Sequence, residues 1–118
     1  MSAGGQGVFI PSRYKLYVAK VTQATTAAPA IGTEVVNELG AALVPARTSI
    51  GLYTFTLTGA FTNNKTLAKI NGGTGAAMRV FNIEHTSADV LTVNVFDLGA
   101  TPALADSGNF DLEIKVYY

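Results

Sequence analysis

Residues 50–61, "IGLYTFTLTGAF", place Tyr53, Phe55, Leu57 and Phe61 on one parity and Thr54, Thr56, Thr58 and Ala60 on the other. Period-two alternation sends successive side chains to opposite faces, so the stretch predicts a strand with one buried face and one threonine-coated face. The C-terminal "FDLEIKVYY" repeats the pattern, with Phe110, Leu112, Ile114, Val116 and Tyr118 alternating with Asp111, Glu113, Lys115 and Tyr117. A strictly alternating segment of this kind belongs inside a sheet. In "VLTVNVFDL", Val90 to Leu98, the residues Leu91, Val93 and Val95 share a parity opposite Thr92 and Asn94. Further strands are predicted at Tyr14–Gln23, Thr66–Ile70 and Ala77–Thr86. "TEVVNELG", Thr33 to Gly40, reads as a strand by its Val-Val pair, although Glu38-Leu39-Gly40 would also suit one helical turn.

The punctuation between these runs is equally regular. "ATTAAPAIG" (Ala24 to Gly32) is a small-residue loop, "TNNK" (Thr62 to Lys65) a turn, and "SAD" (Ser87 to Asp89) a second turn. "NGGTG" (Asn71 to Gly75) is the strongest breaker, because Asn-Gly supplies positive φ readily. "GATPALADSGN" (Gly99 to Asn109) reads as a long loop. Pro45 lacks the N–H that a central strand needs, which places "ALVPARTS" at an edge or bend. No segment shows a 3.6-residue period, and no internal repeat stands out. Turn signals spaced by roughly 8–12 residues predict an all-β domain, a single antiparallel β-sandwich or jelly roll of about seven to eight strands. Residues 13–118 form that domain. Residues 1–12 read as an extended N-terminal arm: Gly4, Gly5 and Gly7 supply freedom, and Val8, Phe9 and Ile10 offer apolar side chains before Pro11 fixes the exit.

Composition adds a second constraint. The chain has 118 residues, 48% of them hydrophobic and only 14% charged, with eight basic and eight acidic side chains balancing to zero. Small monomeric domains keep a net charge that opposes association. A neutral, charge-poor chain is therefore expected to form a homo-oligomer. Zero net charge with scattered Lys and Arg also removes the electrostatic footprint of a nucleic-acid binder. There is no cysteine, hence no disulfide, thiolate zinc site or cysteine nucleophile. "MSAGGQGVFIP" lacks the basic and apolar regions of a secretory signal. No apolar run approaches the roughly 18 residues of a membrane-spanning helix. Neither nucleic acid nor membrane is expected as a partner.

Candidate chemistry is sparse. His85 is the single histidine and has Glu84, Ser87 and Asp89 for neighbours, but adjacent strand residues point to opposite faces and cannot converge as a triad. "NGGTG" lacks the Lys-Ser/Thr of a phosphate-binding loop and has no helix after it. "DSGN", residues 106–109, has oxygen donors without the spacing of a calcium-binding loop. The carboxylates read as solvated strand and turn residues rather than an acid/base pair. The expectation is therefore a protein that is not an enzyme, with no catalytic residue, metal or cofactor. Partner docking is expected from Val8, Phe9, Ile10 and Pro11. Contacts from loop tips are expected from Asn71, Gly72, Asp106 and Asn109, which would serve a carbohydrate- or receptor-binding module.

The succession "KLYVAKVTQ…APAIGTEVVNELGAALVPARTSIGLYTFTLTGAF" with the closing "FDLEIKVYY" resembles small all-β virion proteins of tailed phages: capsid decoration proteins, head fibres and tail-fibre tips. The resemblance covers most of the chain from about residue 14 and rests on common sheet grammar. It implies a structural role on a virion and a symmetric oligomer, a trimer being favoured. The implied partner is a capsid or other virion protein, and for a fibre tip a host glycan.

Overall fold

The computed structural model describes residues 13–72, 79–98 and 103–118. All regular structure in them is β: β1 (Tyr14–Thr22), β2 (Ala30–Asn37), β3 (Val44–Ser49), β4 (Leu52–Thr56), β5 (Thr66–Gly72), β6 (Arg79–His85), β7 (Val90–Asp97), β8 (Ala103–Leu104) and β9 (Phe110–Tyr117). They form two antiparallel sheets. The first, sheet A, has the order β2-β1-β9-β5; the second, sheet B, has the order β3-β4-β7-β6, with β8 paired to β7. β5 lies against β6 at one edge of the sandwich, and β2 approaches β3 at the other. Of the two expected architectures this is the sandwich, with the hairpins β1-β2, β3-β4 and β6-β7 each kept within one sheet.

The alternation read from the chain is the alternation that packs, except at Tyr118, which lies beyond the end of β9 and is 70% exposed. Tyr53 and Phe55 of β4, Leu91, Val93 and Val95 of β7, and Phe110, Leu112, Ile114 and Val116 of β9 are buried between the sheets. Tyr17, Ala19 and Val21 of β1 complete the core from sheet A. Phe110 is its central aromatic. Its ring stacks on Tyr53 at 6.4 Å, meets Phe55 edge-on at 6.2 Å and tilts against Phe81 at 5.4 Å. Such pairs add about 0.5–1.5 kcal/mol each beyond burial, so one residue of sheet A is anchored to three of sheet B.

Several boundaries differ from the expected ones. The strand beginning at Leu52 stops at Thr56; Gly59 then takes φ +70° and the chain turns, with Ala60 N–H donating to the Leu57 carbonyl. Phe61 returns to the core from beyond that turn. β2 begins at Ala30, earlier than expected, because Thr22 and Val21 of β1 pair with Ala30 and Ile31. It ends at Asn37, and no helical turn forms at Glu38–Gly40: the Glu38 backbone N–H donates to the Leu16 carbonyl, and its carboxylate accepts the Leu16 N–H. The long loop before Phe110 contains β8. Pro45 sits on β3, an edge strand opposite Phe55, as its missing donor requires.

Truncation of the buried Phe55 to Ala is expected to cost about 3–5 kcal/mol in urea unfolding. Thr56→Ala, one residue on and facing outward, is expected to stay within about 0.5 kcal/mol in the unassociated protein. Equal effects would overturn the face assignment.

Candidate functional site

The densest polar cluster lies where the chain leaves sheet B for sheet A. β4 and β8 run end to end along β7: Val95 N–H donates to the Gly51 carbonyl at 2.8 Å, and Ala105 N–H to the Val95 carbonyl at 3.0 Å. Gly51 sits at the junction with φ +64°, and a Cβ there would lie 2.7 Å from the carbonyl oxygens of both Ala105 and Val95. Only glycine fits.

Asp106 follows at once. Its Oδ1 accepts from Arg47 Nε, Gly51 N–H and the Tyr53 hydroxyl, each at 3.0 Å, and its Oδ2 accepts from an Arg47 Nη at 2.9 Å. The Asp106 carbonyl accepts Arg79 Nε at 3.0 Å. Tyr53 in turn accepts the Ser107 N–H at 2.9 Å. The Asp106 and Arg47 side chains are only 16% and 18% exposed, so this bidentate pair is shielded far better than an ordinary surface bridge. The Arg47 hydrogen bonds, joined by those from Gly51 and Tyr53, hold the Asp106 pKa below the ordinary carboxylate value against the opposing effect of burial. Burial is the main cause that raises the Tyr53 hydroxyl.

A second knot continues the first. Gly108 N–H donates to Gln23 Oε1, Gln23 Nε2 donates to the carbonyls of Thr25 and Ala27, and Gln23 N–H donates to Asn109 Oδ1. Gln23 is buried and fully satisfied. The Ser107 hydroxyl donates to the Gly108 carbonyl. The first knot fixes the loop before β9 to β3, β4 and β6, and the second ties that loop to the one that follows β1. The arrangement is a clamp.

The residues around His85 are likewise engaged elsewhere. His85 Nε2 lies 2.7 Å from the Phe61 carbonyl, an acceptor, so this nitrogen carries the proton. Asp89 Oδ1 accepts Gly59 N–H at 2.7 Å, Ser87 Oγ accepts Asp89 N–H at 3.1 Å, and Glu84 reaches Asn94 on the opposite face. They form turn braces rather than a Ser-His-carboxylate chain. Among the described residues no group of three or more His, Asp or Glu is placed to hold a metal ion.

The outer faces of the two sheets contrast in charge. On sheet A the register lines up Lys20, Asp111 and Asn71, then Val18, Glu113 and Lys69, then Leu16, Lys115 and Leu67. Lys20 and Asp111 form an ion pair at 3.3 Å, and Lys115 Nζ sits 5.0 Å above the Tyr14 ring. Two hollows share that ion pair: one of about 220 Å³ over Val18, Val35 and Lys69, and one of about 530 Å³ over Thr22, Gly32 and Asn109. On sheet B the outward rows are Val44, Thr56 and Val90; Ala46, Thr54, Thr92 and Glu84; Leu52, Asn94 and Asn82; and Leu104, Phe96 and Val80. Glu84 is the one ionisable side chain in those rows.

The expected site residues are redistributed accordingly. Val8, Phe9, Ile10 and Pro11 lie outside the described residues. Asn71 and Gly72 are strand rather than loop residues, because β9 needs a partner along its length and pairs Asp111 with Asn71 and Phe110 with Gly72. Asn71 borders the smaller hollow of sheet A, and Gly72 and Asn109 the larger. Asp106 is separated from them; its carboxylate is consumed by the clamp. Arg47, Tyr53, Gln23 and Gly51 were missed as polar anchors. One signal was present: Arg47 shares the inward parity of Pro45 on β3, and a cation there requires a shielded acid.

Comparison with known protein families, with curated proteins and with solved structures finds no match for this chain.

Two outcomes follow from the clamp. Gly51→Ala is expected to cost more than about 1 kcal/mol, with the collision at 2.7 Å added to the backbone strain, and more than Gly59→Ala, where a Cβ meets nothing within 4 Å. Denaturant titration compares them. Asp106 has a lowered folded-state pKa, so its stabilisation is complete above its unfolded value of about 3.9 and is lost as pH falls through the folded value. Asp106→Asn is expected to lower the Tm at pH 7, and its deficit against the wild type should shrink in acid. A deficit that stays constant down to pH of about 2 would assign the loss to packing instead.

Proposed function

We propose that this chain is a non-enzymatic structural protein of a phage virion, of the capsid-decoration or head-fibre kind. It acts by symmetric self-association, a trimer being favoured, and by docking residues 1–12 on a capsid or other virion protein. The observation that carries the reading is the outer face of sheet B, a broad surface of Thr, Asn, Val and Leu with one ionisable group, on a chain of zero net charge. A face of this kind suits a neighbour and offers no reaction chemistry. The polar clusters described above also favour it, since each is occupied in holding a loop.

A second reading has its own support. The two hollows on sheet A carry charged and amide side chains among apolar ones, which suits a polar ligand such as a host glycan, as in a tail-fibre tip. Among the described residues the one aromatic in those linings is Phe110, and at 1% exposed it offers little platform for sugar stacking. A glycan array separates the two readings, because a decoration protein is expected to bind no sugar.

The arm supplies placement in the leading reading. Ordering its glycine segment costs about 1–2 kcal/mol per residue, while burying Phe9 and Ile10 returns about 1.5–3 kcal/mol each. One arm is weak; several on one oligomer bind firmly through effective concentration. Deleting residues 1–11 is expected to leave the Tm unchanged and to detach the protein from its particle. Full occupancy by the truncated protein would place docking on the β domain instead.

A further inference from the structure

We propose that the outer face of sheet B is the surface through which copies of this chain associate, and that the outer face of sheet A is turned away from the contact. The inference rests on the self-association reading above and names the surface that performs it.

Charge carries the argument. A closed symmetric oligomer repeats every side chain of its contact face in each copy, so a charge there is multiplied around the axis at short range. Like charges brought together in a desolvated contact are costly. Near-freedom from charge is thus the simplest condition for a self-associating face, since otherwise each charge needs an opposite one placed against it by the symmetry; a face made for a charged partner would carry the complementary sign. Sheet B meets the first condition: Thr54 and Thr92 are direct cross-strand partners at its centre, and its one carboxylate, Glu84, stands on the edge strand β6. Sheet A does not. Lys20, Lys69, Asp111, Glu113 and Lys115 stand on its outward rows.

The exposed apolar side chains of sheet B frame its uncharged centre, whereas those of sheet A, Leu67 and Val35, stand among its charges. Leu104 of β8, Phe96 of β7 and Val80 of β6 lie side by side on one outward row, with Leu104 44% and Val80 43% exposed. Val44, at the opposite end of the face, is 59% exposed. Apolar stripes therefore flank a band of hydroxyls and amides that can hydrogen-bond across a contact. The whole chain has zero net charge, so no long-range repulsion opposes the approach of a second copy.

Native mass measurement of the full chain at micromolar concentration tests this. The wild type is expected at a multiple of the 12.3 kDa chain mass. Thr54→Lys, which puts a cation at the centre of sheet B in every copy, is expected to give the single-chain mass with an unchanged far-UV spectrum. Leu67→Lys, on the outward face of sheet A where the native side chain is 60% exposed, is expected to keep the wild-type mass. Should Thr54→Lys fail to fold, Val80→Lys on the exposed edge strand gives the same readout. A wild type at the single-chain mass would overturn both the self-association reading and this one. A multimeric wild type whose mass survives Thr54→Lys and Val80→Lys but is lost in Leu67→Lys would overturn the face assignment alone.

Discussion

Between Leu104 and Phe110 the chain crosses from the rim of sheet B to the middle of sheet A, and the carboxylate of Asp106 holds that crossing in place. Four hydrogen bonds from Arg47, Gly51 and Tyr53 converge on it. The geometry leaves no slack. Gly51 must present its N–H with no side chain behind it, and Tyr53 must reach the carboxylate from a fully buried ring. With Asp106 fixed, Gln23 and Asn109 close the rest of the crossing, and Phe110 enters the core at the point where it touches Tyr53, Phe55 and Phe81. Sheet A then assembles around β9, which pairs with β1 on one side and β5 on the other.

This division of labour shapes what the molecule can do. The polar groups of the two knots serve architecture: they tie the segment between Leu104 and Phe110 to β3, β4 and the loop after β1. Leaving any of the donors to the shielded carboxylate unmatched would be costly. What remains for interaction is surface. Sheet A presents alternating charge and two shallow hollows, while sheet B presents threonine, asparagine and aliphatic side chains. The two faces are suited to different neighbours, and the proposed virion role assigns the uncharged one to copies of the chain itself.

Much of the fold was legible in the chain. The alternation at Tyr53–Phe55, Leu91–Val95 and Phe110–Val116 named the buried faces correctly, because a strand offers only two faces and the apolar one must be covered. Pro45 marked an edge for a local reason, its missing donor. The candidate site was far less legible. Asn71 and Gly72 looked like a turn since Asn-Gly favours one, yet the hydrogen-bonding demand of β9 drew both into β5. Asp106 looked like a solvated loop residue because its ligands lie on β3 and β4, more than fifty positions earlier.

The sequence by itself determined the class of fold, the inward and outward sets of the alternating strands β4, β7 and β9, and the absence of net charge. Those are local or summed properties, set by side-chain polarity at a period of two. The tertiary structure alone decided which strands became neighbours, that most outward charges would gather on sheet A while the outward rows of sheet B hold Glu84 alone, and that Arg47, Gly51, Tyr53 and Asp106 would meet. The reason is that a strand's alternation specifies a face but not a partner. Partners were chosen by long-range pairing, by the fit of Phe110 among three rings and by the need to satisfy one shielded carboxylate.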